Sequence, residues 1–369
     1  MTYKETLFFI AQCLTISLEE KNKEVILLKL QSEEIDWDAV IKVSTSHYVL
    51  PALYCNLMRA DFLQYLPKDL VSYMEHISSI NRERNQQIII QAKKLNTLLL
   101  ANNITPLFLK GTGNLLVDLY EDVAERMVGD IDFIFSKEDY PKAITVLRDN
   151  GYSDVEKYKY HIPSQKHYRR IKKENNIAAV EIHHNLILEK YASEFNYSFV
   201  EKDSQLINGF VVLSYANKLN LSIISSQIND SGFYYKTMSL KNAYDVFLLS
   251  KKTNAKKSFS KFNTLKNPLN CFLAICYIAF GEIDSLEYHK TEETENYLSI
   301  FDRLLLNESK RKSRAKLKYR ELFIKNRLSI LYKSLFDKEY RDWLLKRILD
   351  KNWQREKMVQ LGLKKRKQK

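Results

Sequence analysis

Leu107-Phe108-Leu109-Lys110-Gly111-Thr112-Gly113 and, downstream of it, Gly129-Asp130-Ile131-Asp132-Phe133-Ile134-Phe135 are the stretches on which the reading of this chain turns. The first is a short apolar run, opened by Pro106, that breaks at two glycines. It predicts a strand running into a tight turn. The second is an apolar run punctuated by two acids, and predicts another strand. Side chains alternate faces along a strand. Asp130 and Asp132 therefore project together, while Ile131, Phe133 and Phe135 point into a core. Two adjacent carboxylates repel each other and are costly unless a cation lies between them. Magnesium is such a cation, a hard ion held by one or two carboxylates together with substrate phosphates. Two divalent ions about 4 Å apart activate an attacking oxygen and stabilise a leaving pyrophosphate.

Glu181, in Val180-Glu181-Ile182, offers a third carboxylate from a neighbouring strand. It can complete a metal's shell or take a proton from an incoming hydroxyl. Gly111-Thr112-Gly113 supplies a place for phosphate, because glycine lets backbone amides approach an anion closely at a helix start. Lys110 and Arg126 are charge partners for phosphate oxygens; Arg126 has the alternative of pairing with an acid such as Asp130. The turn is neither a P-loop nor a dinucleotide fingerprint, since its lysine precedes the glycines and Leu116 stands where the last glycine belongs. His183 shares the face of Glu181, where a supporting hydrogen bond suits it better than direct ligation. His184 faces the other way and is expected to pack. His161 and His167 are read as structural or solvated.

Around this centre the chain is helical. Residues 1–100 carry apolar positions near helical spacing, and Leu70–Leu100 runs without Gly or Pro. Leu115–Tyr120 suits a short helix after the turn. Ser136 is placed to cap a helix over Lys137–Asn150, with Gly151 as its stop. Tyr168–Lys173 and Ala178–His183 flank Glu174-Asn175-Asn176 as a hairpin. Helix returns from Ser214. Residues 251–269, polar and lysine-rich, read as a linker or surface loop. The expected organisation is a helical region over 1–100, a catalytic domain over 101–200, and a helical region with a basic tail over 201–369.

With 369 residues, 45% of them hydrophobic and only 8 Gly and 6 Pro, the chain is a folded protein built on long helices. The longest apolar run, Cys271–Phe280, is about half a bilayer span. No secretory signal is visible. Cys13, Cys55, Cys271 and Cys276 lack zinc spacing and suit reduced, buried thiols, as in a cytoplasmic protein. The net charge of +13 is uneven: residues 301–369 alone carry +15, ending in Lys364-Lys365-Arg366-Lys367-Gln368-Lys369. Solvated helix faces account for such an excess, and so does a surface for nucleic acid. Trp343, Leu344 and Ile348 among basic neighbours add a weak membrane-surface pattern.

Asp-x-Asp alone is a weak motif; the order Gly-Thr-Gly, Asp-x-Asp, acid gives it weight. That order resembles the DNA polymerase β-like nucleotidyltransferase superfamily. The chain is more similar still to a group of bacterial nucleotidyltransferase-like proteins, on Leu109-Lys110-Gly111, Tyr120, Arg126, Gly129-Asp130-Ile131-Asp132, Gly151-Tyr152 and Val180-Glu181-Ile182-His183. His47-Tyr48-Val49-Leu50-Pro51 and Leu240-Lys241-Asn242-Ala243-Tyr244-Asp245 extend the likeness over about residues 35–250. Thr112 replaces the superfamily's Gly or Ser, Glu181 its usual Asp, and His184 an aromatic frequent in the group. The resemblance implies an α+β fold with an α/β core, a short mixed sheet flanked by helical regions. It implies a transferase that moves a nucleoside monophosphate from a triphosphate to a hydroxyl of RNA, protein or a small molecule, with magnesium or manganese. Asp130, Asp132 and Glu181 would be catalytic and metal-binding, Lys110, Gly111, Thr112, Gly113 and Arg126 would hold phosphate, and His183 would support them.

Two other readings compete. A catalytically inactive, nucleotide-binding regulatory protein on the same fold would be expected to lack an acid, and none is missing. A metal nuclease calls for lysine two places after its second carboxylate, where Ile134 and His183 stand instead.

The charge asymmetry generates a first prediction. For a nucleic-acid acceptor, deleting Lys364–Lys369 raises the acceptor KM and flattens its salt dependence, because fewer counterions are released. The triphosphate KM stays unchanged. A small-molecule acceptor leaves both constants unmoved, and a shift in the triphosphate constant alone contradicts both versions.

Overall fold

The breaker-free run that ends at Leu100 is helical. The computed structural model describes residues 1–32, 34–155 and 166–360, so His161 and the Lys364–Lys369 tail lie outside the described residues. The Lys68–Leu100 helix is the longest, 33 residues between Pro67 and the left-handed Asn103. Met74, Ile88, Ala92, Leu95 and Leu99 form its buried stripe.

Among the described residues seven short strands follow: β1 Leu107–Phe108, β2 Asp130–Ile134, β3 Ser153–Asp154, β4 Ile171–Lys172, β5 Ala179–His183, β6 Gln205–Ile207 and β7 Phe210–Val212. They make one mixed sheet in the order β3-β4-β5-β2-β1-β7-β6. The chain is therefore α+β, as its sequence predicts. β2 and β5 pair in parallel, with Asp132 opposite Glu181. β4 and β5 form the expected antiparallel pair, Ile171 opposite Val180, across a turn at the left-handed Asn175. Ile131, Phe133, Val180 and Ile182 are fully buried. Phe133 meets Phe108 edge-on at 5.7 Å between ring centroids. The Asp139–Asp149 helix follows β2; Ser136 Oγ accepts from the Asp139 amide at 3.1 Å, and Gly151 ends the turn with φ 87°.

Two local expectations change. The helix after β1 is Lys110–Leu115, not Leu115–Tyr120: the chain reverses at Lys110, whose φ is 50°, and helix begins at once. Gly113 permits this, because a Cβ there would lie 2.9 Å from the Phe108 carbonyl oxygen. Residues 251–269 are not a linker. Their lysines are solvated or partly so, but Ala255, Phe259, Phe262 and Leu265 are buried, and a short helix, Ala255–Ser258, organises them. Aromatics at wide spacing are easily lost among polar residues when a window is averaged. The Cys271–Phe280 run falls largely within the Lys266–Ala279 helix, buried from Cys271 to Cys276. No helix among the described residues is long and apolar enough to cross a membrane. All four cysteines are buried and unbridged.

The described residues divide into two compact units. One comprises 1–155 and 166–311 and contains the whole sheet. The other, 312–360, is helical, with Lys338–Ile348 and Lys351–Gln360 joined by an edge-on contact of Trp343 with Trp353 at 6.4 Å.

Phe262 packs on Phe195 and Phe199, at 5.8 and 5.5 Å between centroids. Phe262→Ala is expected to cost about 3–5 kcal/mol of unfolding free energy, as for a buried aromatic. Urea unfolding measures it, and a cost below about 0.5 kcal/mol, the range of a surface substitution, restores the linker reading.

Candidate active site

Strand alternation and the β2–β5 register bring Asp130, Asp132 and Glu181 to one face of the sheet. Two basic side chains bracket the three acids. Lys110 Nζ lies 2.7 Å from Asp132 Oδ1 and 3.7 Å from Glu181 Oε2. Arg170 contacts Asp130 and reaches to 3.7 Å from Glu181 Oε1. His183 Nε2 is 2.9 Å from Asp132 Oδ1 and 3.6 Å from Glu181 Oε2, the supporting contact its position predicts. Asp132, Glu181 and His183 present ligand atoms within 4.8 Å of one another, close enough to share one ion. Asp130 is not in that compact group. It stands two residues earlier on β2, opposite Ala179, and is engaged by Arg170.

The electrostatics follow from these contacts. Burial opposes ionisation of Asp132, but the Lys110 ammonium and His183 outweigh it and hold its carboxyl well below the usual range. Burial likewise opposes Glu181, and the hydrogen bond from His183 brings it below its ordinary value. Asp130 moves the other way: burial raises it, Arg170 offsets part of that, and the nearby Glu181 adds to it. Burial pulls the Lys110 amine down, yet Asp132 and Glu181 raise it above an ordinary lysine.

A cavity of about 440 Å³ opens on the acids, with Tyr48, Lys110, Gly111 and Arg126 in its wall. Thr112 and Gly113, also expected at the phosphate, are buried and not among its lining residues. The Thr112 hydroxyl donates to the Asp130 carbonyl at 2.9 Å, and Gly113 O accepts from the buried Lys218 ammonium at 2.6 Å. The Thr112 side chain thus ties the Lys110–Leu115 helix to the strand that carries the acids, and the Gly113 carbonyl ties it to the Tyr215–Ile224 helix that carries Lys218. Arg126 pairs with an acid, as the second of its two readings has it, but the acid is Asp245 and not Asp130. Its guanidinium is buried on Asp245, through Nε and Nη2 at 3.0 Å each. The Tyr120 hydroxyl donates to the same carboxylate at 2.6 Å. Tyr120, Arg126 and Asp245 are far apart in sequence but form one hydrogen-bonded cluster. His184 is exposed, with its ring edge against Tyr140, rather than packed. His167 lies beside His183, 5.2 Å between ring centroids.

Sequence reasoning missed Arg170, Asp245 and Lys241. A signal existed for Arg170: in the hairpin, Ile171 opposes Val180 on the core face, so Arg170 shares the face of Glu181. Asp245 and Lys241 arrive on the Leu240–Ser250 helix, and no local pattern aims that helix at the sheet.

A family model described as an uncharacterised nucleotidyltransferase matches residues 33–280, more than half of the chain. No curated protein matches significantly. Two solved Helicobacter pylori proteins are similar. JHP933 shares 14% identity over 63% of this chain and 97% of its own, and a second, described as a proposed nucleotidyltransferase, shares 17% over 62% and 96%. Both superpose with a TM-score of 0.29, too low to carry an argument.

Asp132 is expected to contribute to the acid limb of stability. Its folded pKa lies below its unfolded one, so its contribution is complete above about pH 4 and is lost as pH falls through the folded value. In metal-free buffer, Asp132→Asn is expected to flatten the loss of stability below pH 4. Urea midpoints across pH 2–6 measure it, and parallel curves for the two proteins contradict the assignment.

Proposed function

The chain belongs to this nucleotidyltransferase family, and from that premise we propose that it transfers a nucleoside monophosphate from a triphosphate to an acceptor hydroxyl, releasing pyrophosphate. The observation that carries the proposal is the convergence of Asp130, Asp132 and Glu181 on the cavity that Lys110 and Gly111 also line. The donor set fits a divalent cation: carboxylate oxygens suit magnesium, and the imidazole of His183 extends the choice to manganese. Asp132, Glu181 and His183, with Asp130 beside them, would hold it, and when bound it supplies neutralising charge at the reacting phosphate and the leaving pyrophosphate.

The chain's own groups do the rest. Lys110 passes from Asp132 to a phosphate oxygen when the triphosphate enters, at the wall formed by Gly111. Thr112 and Gly113 hold that wall against β2 and Lys218. Glu181 takes the acceptor proton as the acceptor oxygen bonds to the α-phosphorus. The bond to the bridging oxygen breaks, and pyrophosphate leaves with the electron pair. Arg126 acts at one remove, keeping the Leu240–Ser250 helix on the site through Asp245. The acceptor is RNA, a protein or a small molecule; the basic charge of 301–369 favours a polyanion.

Incubation of the purified protein with each labelled triphosphate, magnesium or manganese, and total cellular RNA and protein tests the transfer. Label is expected in one acceptor class and is lost in Asp130→Ala and Asp132→Ala. Triphosphate binding with no labelled product supports the inactive, regulatory reading instead.

Lys110 separates binding from chemistry. Lys110→Ala is expected to weaken triphosphate binding by about 1–3 kcal/mol, the value of a charge-assisted hydrogen bond. Calorimetric titration in calcium measures it, and unaltered affinity leaves Lys110 as an ion-pair partner of Asp132 alone, with no part in phosphate binding.

A further inference from the structure

Lys110, Arg126 and Lys241 line a second cavity as well as the first. It measures about 200 Å³, below the roughly 300–1,000 Å³ of a site that takes a whole small molecule. Lys166 and the Ser225–Asn229 segment complete much of its wall. That segment is a π-helical turn, an i→i+5 distortion found mostly where a helix serves a site.

The charges in this wall do not balance. Arg126 and Asp245 neutralise each other, and Lys110 is held by Asp132. Lys166 and Lys241 are half-buried, and among the described residues neither ammonium has a hydrogen-bond or ion-pair partner. Lys241 has only the Tyr48 ring, at 5.2 Å. Asp230 faces the same cavity but is exposed, and it bonds to neither lysine. Burial, and then the nearby Lys110 and Arg126 charges respectively, hold Lys166 and Lys241 below an ordinary amine. Ser225 Oγ is a buried hydroxyl with no hydrogen-bond partner. Desolvated ammoniums and an unsatisfied hydroxyl are costly unless a ligand satisfies them.

We propose that this cavity is an oxyanion subsite in which Lys166, Lys241 and the Ser225 hydroxyl grip a phosphate group next to the reacting centre. The inference rests on the transferase reading for its meaning but not for its measurement. The phosphate comes either from the distal end of the triphosphate or from a phosphate-bearing acceptor. An ammonium pair with a hydroxyl donor suits a multiply charged oxyanion, and the cavity is too small for the nucleoside itself.

The test is calorimetry on the full chain with inorganic pyrophosphate in metal-free buffer, and with a nucleoside triphosphate and its monophosphate in calcium. Wild type is expected to bind pyrophosphate, and Lys166→Met to weaken it at least tenfold with an unchanged circular dichroism spectrum. Should Lys166→Met misfold, Ser225→Ala, which removes one hydroxyl, takes its place with an expected loss of several-fold. If the distal phosphates occupy the subsite, Lys166→Met also weakens the triphosphate but not the monophosphate. If an acceptor phosphate occupies it, triphosphate affinity is unchanged and pyrophosphate binds alongside the nucleotide without competing. Absence of pyrophosphate binding to wild type, or equal affinity in wild type and variant, overturns the proposal. Lys166-dependent anion binding without any labelled transfer product leaves the subsite standing and removes the transferase; transfer without such binding does the reverse.

Discussion

Three carboxylates on one face of a sheet cannot all be charged and desolvated without compensation, and the architecture around β2 and β5 answers that constraint. Lys110 meets Asp132 and Glu181, Arg170 meets Asp130 and Glu181, and His183 bonds to Asp132. Each comes from a different place: Lys110 from the reversal after β1, Arg170 from the edge of β4, His183 from β5 itself. The strained φ of Lys110 belongs to the same account. A side chain that must reach over the strand carrying Asp132 justifies a backbone conformation that most residues avoid.

Behind this face a second buried charge pair joins the helices after β7 to the sheet. Arg126 precedes β2 and Asp245 lies on the Leu240–Ser250 helix, and each would be costly to bury alone. Their bidentate contact, with the Tyr120 hydroxyl on the same carboxylate, orients that helix so that Lys241 lines both cavities. The arrangement of the site is thus two layers of ion pairing. The outer layer, Lys110 on Asp132 and Arg170 on Asp130, borders the cavity. The inner layer, Arg126 on Asp245, is buried in the core.

Local patterns carried much of this. The two-residue period put Asp130 and Asp132 on one face and Ile131 and Phe133 on the other, and that division holds. The breaker-free run to Leu100 predicted its helix to within two residues of the start. The hairpin and the placement of His183 beside a carboxylate also followed from alternation alone. Failures came where a local average hid a long-range contact. The polar 251–269 segment read as linker because its lysines outnumber the buried Phe259 and Phe262, whose partner rings belong to other segments. The helix after β1 starts earlier than its local pattern predicts, because its start depends on a reversal at Lys110 and on Gly113 touching the strand.

The sequence by itself therefore determined the fold class and the acid-bearing strands, since strand alternation and helix continuity are properties of consecutive residues. It also determined which side chains could reach one face. Only the tertiary structure decided how those side chains are shared out. Arg126 and Asp245 lie 119 residues apart, and Lys110 and His183 lie 73 apart. No periodicity links positions so distant; the packing of helices onto the sheet does, and it gave Arg126 to Asp245, Arg170 to Asp130, and Lys166 and Lys241 to the wall of a cavity that Lys110 and Arg126 also line.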